Sequence, residues 1–120
     1  MNIRRGQWGE QIACEYLQGL GLSLVEKNYR SPCGEIDLIM KDGGALVFVE
    51  VRLRQSNSHG GALASITAAK QRKLLKTGQH YLVSKKMYDK IACRFDVISI
   101  QGTDKPCIDW ISNAIEFSDY

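Results

Sequence analysis

Residues 34–54 read GEIDLIMKDGGALVFVEVRLR: two apolar runs around the Gly-rich turn Asp42-Gly43-Gly44. Asp-Gly between apolar runs is a strong hairpin signal, so the stretch predicts two antiparallel strands. Each run carries a carboxylate where a half-buried strand should be apolar. Asp37 sits inside EIDLIM, and Glu50 sits inside LVFVEVRL, two residues before Arg52. Burying an isolated carboxylate is costly unless it is paired or holds a cation.

Side chains alternate along a strand. Glu35, Asp37 and Ile39 should share one face of the first run, with Ile36, Leu38 and Met40 on the other. In the second run Leu46, Phe48, Glu50 and Arg52 share a face, opposite Val47, Val49, Val51 and Leu53. A two-residue loop at Asp42-Gly43 would pair Asp37 with Phe48 and Glu35 with Glu50. A four-residue loop from Asp42 to Ala45 would pair Asp37 with Glu50. Either loop keeps the two acids on one face, whereas a slip of one residue would part them. Opposed like charges repel. A hard divalent cation, Mg²⁺ or Mn²⁺, would remove the repulsion, since such ions choose carboxylate oxygens and share their sites with phosphate. Asp37 and Glu50 would then hold the cation for attack of water on a phosphodiester, with Arg52 stabilising developing charge. The structural alternative pairs Glu50 with Arg52, Arg54 or Arg30.

The chain has 120 residues, enough for one compact domain, 1–120. Its apolar content of 44% and charged content of 24% are those of an ordinary globular protein. No apolar run approaches the roughly 18 residues of a membrane span, and MNIRRGQWGEQ lacks a secretory signal. Cys14, Cys33, Cys93 and Cys107 are scattered without a CxxC pair, which speaks against a disulfide framework or zinc knuckle. A cytoplasmic protein with reduced thiols is the expectation. His59 and His80 are the only imidazoles, so a His-based catalytic centre is poorly supplied. Charge is uneven: residues 61–94 carry eight Lys/Arg against one acid, and residues 95–120 one Lys against five acids. The basic block suits a polyanion, although solvated helix faces also look like this.

Around the hairpin, residues from about Gly6 to Leu20 read as an amphipathic helix. Trp8, Ile12, Ala13, Tyr16, Leu17 and Leu20 form its stripe, Glu10 lies at the stripe's edge, and Gly21 stops it. Glu10 is placed to reach over the sheet, or to be a solvated first-turn acid. Leu22 to Arg30 predicts a first strand, and Ser31-Pro32-Cys33-Gly34 a turn. Gln55 to Gly61 is a polar loop. A second helix is expected from about Thr67 to Ser84, capped by Ser65 or Thr67, with Gln71, Leu74, Leu75, Gly78, Tyr81 and Leu82 on its stripe. Gln71 either points at the site or satisfies a buried backbone group. Lys70, Arg72, Lys73 and Lys76 put positive charge near its start, where phosphate is favoured. Ile91 to Ile100 alternates as a strand, with Asp96 salt-bridged to Arg94 or a neighbour. CIDWISNAIEF is a last strand or turn of helix. The order gives an α/β domain, a small mixed sheet flanked by helices.

An acid on the first helix, Asp in the second strand and Glu-x-basic in the third resemble the restriction-endonuclease-like nuclease superfamily and its PD-(D/E)XK motif. More closely, the chain resembles the YraN family of small bacterial proteins. The residues that carry this are Gly9-Glu10, Asn28-Tyr29-Arg30, Gly34-Glu35-Ile36-Asp37-Leu38-Ile39, Phe48-Val49-Glu50-Val51-Arg52, Lys70 and Asn113-Ala114. The resemblance implies a restriction-endonuclease-like fold related to archaeal Holliday-junction resolvases. It implies a metal-dependent nuclease acting on DNA, with Glu10, Asp37 and Glu50 as ligands of Mg²⁺ or Mn²⁺. Arg52 takes the catalytic lysine position, and Gln71 a position where related nucleases place a polar helix residue. Related resolvases act as homodimers. The departure is Arg52 itself: a guanidinium stays protonated, so it orients water or stabilises charge but takes no proton. Two other readings stand beside the endonuclease: a non-catalytic nucleic-acid-binding accessory protein, contacting its partner through Lys70, Gln71, Arg72, Lys73 and Lys76, and a purely structural domain with its carboxylates in ion pairs.

Overall fold

A computed structural model describes residues 5–54 and 63–116; the loop expected at 55–61, with His59, lies outside them. Helix α1 spans Arg5–Gly19. Strands β1 (Ser23–Ser31), β2 (Gly34–Asp42) and β3 (Ala45–Arg54) follow. A 3₁₀ turn covers Leu63–Ser65, helix α2 spans Ala68–Ser84, and β4 (Ala92–Gln101) and β5 (Cys107–Ile115) complete the described chain. The strands form one sheet in sequence order, β1-β2-β3-β4-β5. All neighbours are antiparallel except β3 and β4. A parallel joint needs a crossover, and α2 supplies it. The expected mixed sheet with flanking helices therefore forms, and the last segment is a strand.

Alternation along the central strands divides the core in two. Leu38, Met40, Val47, Val49, Ile98 and Ile100 meet Ala13, Cys14 and Leu17 of α1. Ile39, Leu46, Phe48, Phe95 and Val97 meet Leu74, Leu75, Tyr81 and Leu82 of α2. Helix α1 ends as its sequence requires. The N–H of Leu22 donates to the Leu17 carbonyl and that of Gly21 to the Gln18 carbonyl. Gly21 has φ +102°, so the pair forms a Schellman motif with glycine in the left-handed position. Leu20, expected on the buried stripe, occupies the cap of that motif and is 54% exposed; Cys14, absent from the expected stripe, is buried instead. Thr67 is the N-cap of α2, its hydroxyl accepting from the Lys70 N–H at 3.1 Å.

The hairpin pairs Asp42 with Ala45 and runs back to Leu38 opposite Val49. This is the register assigned to a four-residue loop, reached by the two-residue loop Gly43-Gly44. Gly43 takes φ +60°, as the first central position of a tight hairpin turn demands. One expectation fails near the other end of β2. Ile36 does not share a face with Leu38 and Met40: it packs on the α2 side, they on the α1 side. The pleat slips by one residue at Asp37. Opposite it on β1, Asn28 has φ +54°, so both strands turn at the same level.

Gly78 shows how closely α2 sits on the sheet. A Cβ there would lie 2.8 Å from Cζ of Phe95 and 3.3 Å from Cε2 of Phe48. Those rings stack with centroids 4.9 Å apart. Gly78→Ala should therefore destabilise the fold by about 1–3 kcal/mol, the overpacking outweighing alanine's better helix propensity. Chemical denaturation measures this, and a variant as stable as the parent would contradict the close approach.

Candidate functional site

The slip at Asp37 opens the site. The β2–β3 ladder stops at Leu38 and Val49. One residue further, the Asp37 carboxylate takes over from the backbone: its Oδ2 accepts the Val51 N–H at 2.8 Å. Asp37 is thereby fixed against the strand that carries Glu50. On that strand Glu50 follows Phe48 on the α2 side, and its side chain is only 5% exposed. Two cations approach the same carboxylate oxygen: Lys70 Nζ lies 3.6 Å and Arg52 Nη1 3.8 Å from Glu50 Oε2. Neither is as short as a charge-assisted hydrogen bond. Burial first, and then the neighbouring Asp37, pushes the Glu50 carboxyl up to about 8, against the pull of Lys70 and Arg52. The protonated acid is favoured where an ordinary glutamate would be ionised.

Glu10 stands on the other side of Asp37. The Asn28 amide nitrogen, in the orientation that satisfies both groups, donates to the two Glu10 oxygens at 3.0 and 3.2 Å. Burial, Asp37 and Glu35 raise the Glu10 carboxyl above its usual range despite that hydrogen bond. Glu10 is thus the half-buried acid facing the sheet, not the solvated one. Asp37 is the common neighbour of Glu10 and Glu50, so the three acids form a row with Asp37 in the middle. Glu10 and Asn28 border two open hollows of about 290 and 230 Å³, the second reaching Arg30 and Glu35. Glu35 pairs with Arg30 at 3.5 Å.

The remaining candidates divide. Arg52 reaches across to the start of α2, its Nη2 donating to the Ser65 carbonyl at 2.9 Å and its Nε to the Ser65 hydroxyl at 3.3 Å. Gln71 donates to the Ile66 carbonyl at 3.1 Å, so of its two expected roles it performs the backbone one. Lys70 sits at Glu50. Arg72, Lys73 and Lys76 are exposed on α2, a helix with no acid in its sequence. None of the three has a carboxylate partner among the described residues. Asn28 and Ser65 escaped the sequence reading as site groups. Asn28 lies at the polar end of the predicted first strand, and Ser65 is there only a candidate cap.

All-oxygen donors in this row suit a hard divalent cation, which needs one or two protein carboxylates and fills its sphere with water and phosphate. Among the described residues no three His, Cys, Asp or Glu groups form a ready-made metal cage. A cation here would rest on Asp37 and Glu50 and complete its sphere with water and phosphate.

Comparison with known proteins places the chain in a family. The model of a family described as "Uncharacterised protein family UPF0102" matches residues 9–100, a span that holds Glu10, Asp37, Glu50, Arg52 and Lys70. The chain belongs to the UPF0102 family. A UPF0102 protein of Legionella pneumophila is 47% identical over 97% of this chain and 98% of its own length. Relatives in Herminiimonas arsenicoxydans and Coxiella burnetii are 51% and 50% identical over 92% and 89% of this chain, covering 86% and 88% of theirs. The likeness to this UPF0102 protein thus takes in the whole sheet and both helices. No described helix of it is long and apolar enough to cross a membrane.

Proposed function

We propose that this UPF0102 protein is a divalent-cation-dependent endonuclease that hydrolyses phosphodiester bonds in DNA, with branched repair and recombination intermediates as its substrate class. The observation that carries the reading is the Glu50 carboxylate, buried on a central strand beside Asp37 and so held partly uncharged. A purely structural ion pair would not need a second acid next to it. The resemblance to the PD-(D/E)XK nucleases supports the same reading.

Asp37 and Glu50 would hold the cation, with Glu10 at the outer end of the row. When bound, the cation supplies Lewis-acid help to water and to the phosphate. The chain's own part is positioning. The Val51 N–H fixes one Asp37 oxygen. Glu50 would hold the cation as a carboxylate, its proton passing to solvent water. The basic face of α2, with Arg72, Lys73 and Lys76, attracts the phosphate backbone.

The test is a titration of Mg²⁺ and Mn²⁺ with labelled duplex, single-stranded and four-way-junction DNA, products being read on a gel. Cation-dependent product is expected. Asp37→Ala should reduce it by roughly 10²-fold or more, the scale of losing a charge-stabilising group, while circular dichroism remains unchanged. Equal cleavage by the variant would defeat the assignment.

A second reading, a nucleic-acid-binding accessory protein without turnover, has one observation in its favour: Lys70 and Arg52 already stand against Glu50, where a cation would sit. It expects DNA binding with no product. Replacing Arg72, Lys73 and Lys76 by Gln should then flatten the dependence of log K on log salt by up to about 3, near 0.9 for each phosphate no longer neutralised. An unchanged slope would remove Arg72, Lys73 and Lys76 from the interface.

A further inference from the structure

We infer that Lys70, not Arg52, is the cation that meets the substrate's phosphate at this site, and that Arg52 is a positioning residue bracing β3 against the start of α2. The inference rests on the nucleic-acid reading above and divides its work between two residues.

The two cations approach one oxygen of Glu50, but their other bonds differ. Arg52 makes two hydrogen bonds, Nε to the Ser65 hydroxyl and Nη2 to the Ser65 carbonyl, and its Nη1 lies 3.8 Å from Glu50. A guanidinium held by a fork of this kind has little freedom to follow a ligand. It is a strut between the strand that carries Glu50 and the turn Leu63–Ser65 that leads into α2. Among the described residues Lys70 is anchored only by its backbone, through the Thr67 cap. Its ammonium has three donors on a flexible stem and a single long contact, 3.6 Å from Glu50, with 41% of the side chain exposed. It can turn outward to a phosphate oxygen without breaking another bond to the described residues. Lys73 follows one turn later, exposed and without a carboxylate partner among the described residues. It lies beside the β1–β2 turn, where a Cβ on Gly34 would come 3.9 Å from its own Cβ. A strand of nucleic acid that meets Lys70 at the acid row therefore finds a second cation farther along the same helix.

The experiment compares Lys70→Gln, Lys70→Arg, Arg52→Gln and Arg52→Lys with the parent. Affinity for a short labelled DNA duplex is measured in EDTA across a salt series, melting temperature is taken in parallel, and single-turnover cleavage is followed with Mn²⁺. Lys70→Gln should lower the salt slope by about 0.9 at an unchanged melting temperature. Lys70→Arg should restore the slope. Both Arg52 variants should melt several degrees lower, the scale of about 1–2 kcal/mol in a domain of this size, with the parental slope. An unchanged slope in Lys70→Gln overturns the inference. So does an Arg52 variant that loses slope at an unchanged melting temperature, and so does a parent that does not bind the duplex. If the slopes behave as stated but no protein yields product, the hydrolytic reading falls and the division of roles stands. If the parent cleaves and the slopes do not follow, the reverse holds.

Discussion

Glu50→Gln is expected to abolish cation-dependent DNA cleavage and, at the same time, to stabilise the cation-free protein at pH 8. The Glu50 carboxyl titrates near 8 in the folded protein, raised by burial and by Asp37, against 4.5 for an unhindered glutamate. Between those values the folded state keeps a proton that the unfolded chain has released. The contribution of Glu50 to stability is therefore full below that window and falls as pH rises through it. The loss amounts to roughly 4 kcal/mol by pH 8. An amide cannot ionise, so the Gln variant should show no such decline. Lys70 and Arg52 are exposed enough to be solvated when the charge opposite them is gone. Melting curves of parent and variant at pH 5 and pH 8 measure the difference. Mn²⁺ added at pH 8 should raise the melting temperature of the parent, because a ligand of the folded state stabilises it, and should leave the variant unmoved. Parallel pH profiles for the two proteins would show that Glu50 is not the strained group. The conflict between stability and function would then be absent from this position.

The same residue shows how far the sequence could be read. A carboxylate inside LVFVEVRL stood out because the strand period is unambiguous there, and the Gly-rich turn kept Asp37 on the same side. Hydrophobic periodicity likewise located α1, α2 and β4 within a residue or two. The slip at Asp37 was invisible, because strict alternation makes no allowance for a side chain that replaces a ladder carbonyl. Ile36 was assigned to the wrong face for that reason. Asn28 was read as a polar strand end, whereas its left-handed backbone and its hydrogen bonds to Glu10 form part of the site. Ser65 was weighed only as a helix cap, a local role, whereas its bonds to Arg52 bridge 13 residues. Local signals found the elements and the acids; contacts made only by the fold set which groups hold them.

Asp96→Asn is expected to destabilise the fold by roughly 3–5 kcal/mol. Its pairing with Arg94 was legible from the sequence, but the extent of the network was not. Asp96 is wholly buried. Its carboxylate accepts from Arg94 Nε at 3.0 and 3.2 Å, from the Trp110 indole at 2.9 Å and from the Asn113 N–H at 2.8 Å. Arg94 in turn donates through Nη2 to Asp42 at 2.9 Å, so the network ties β4 to β5 and to the turn end of the β2–β3 hairpin. Burial opposes the charged guanidinium, and its hydrogen bonds to Asp96 and Asp42 more than offset that. An asparagine would retain the shape, lose the charge and turn an N–H₂ toward groups that are all donors. Arg94→Met should also destabilise, because it leaves a buried carboxylate with two neutral donors. The double variant should lose less than the sum of the singles, since each has removed the other's unpaired charge. Urea denaturation of the three variants measures the cycle. Asp96 lies between Phe95 and Val97 of the α2-side core and so turns to the other face of the sheet from Glu50. Any fraction of the Asn variant that folds should accordingly retain the parental salt slope for DNA. A variant as stable as the parent, or strictly additive losses, would show that these short contacts are not coupled.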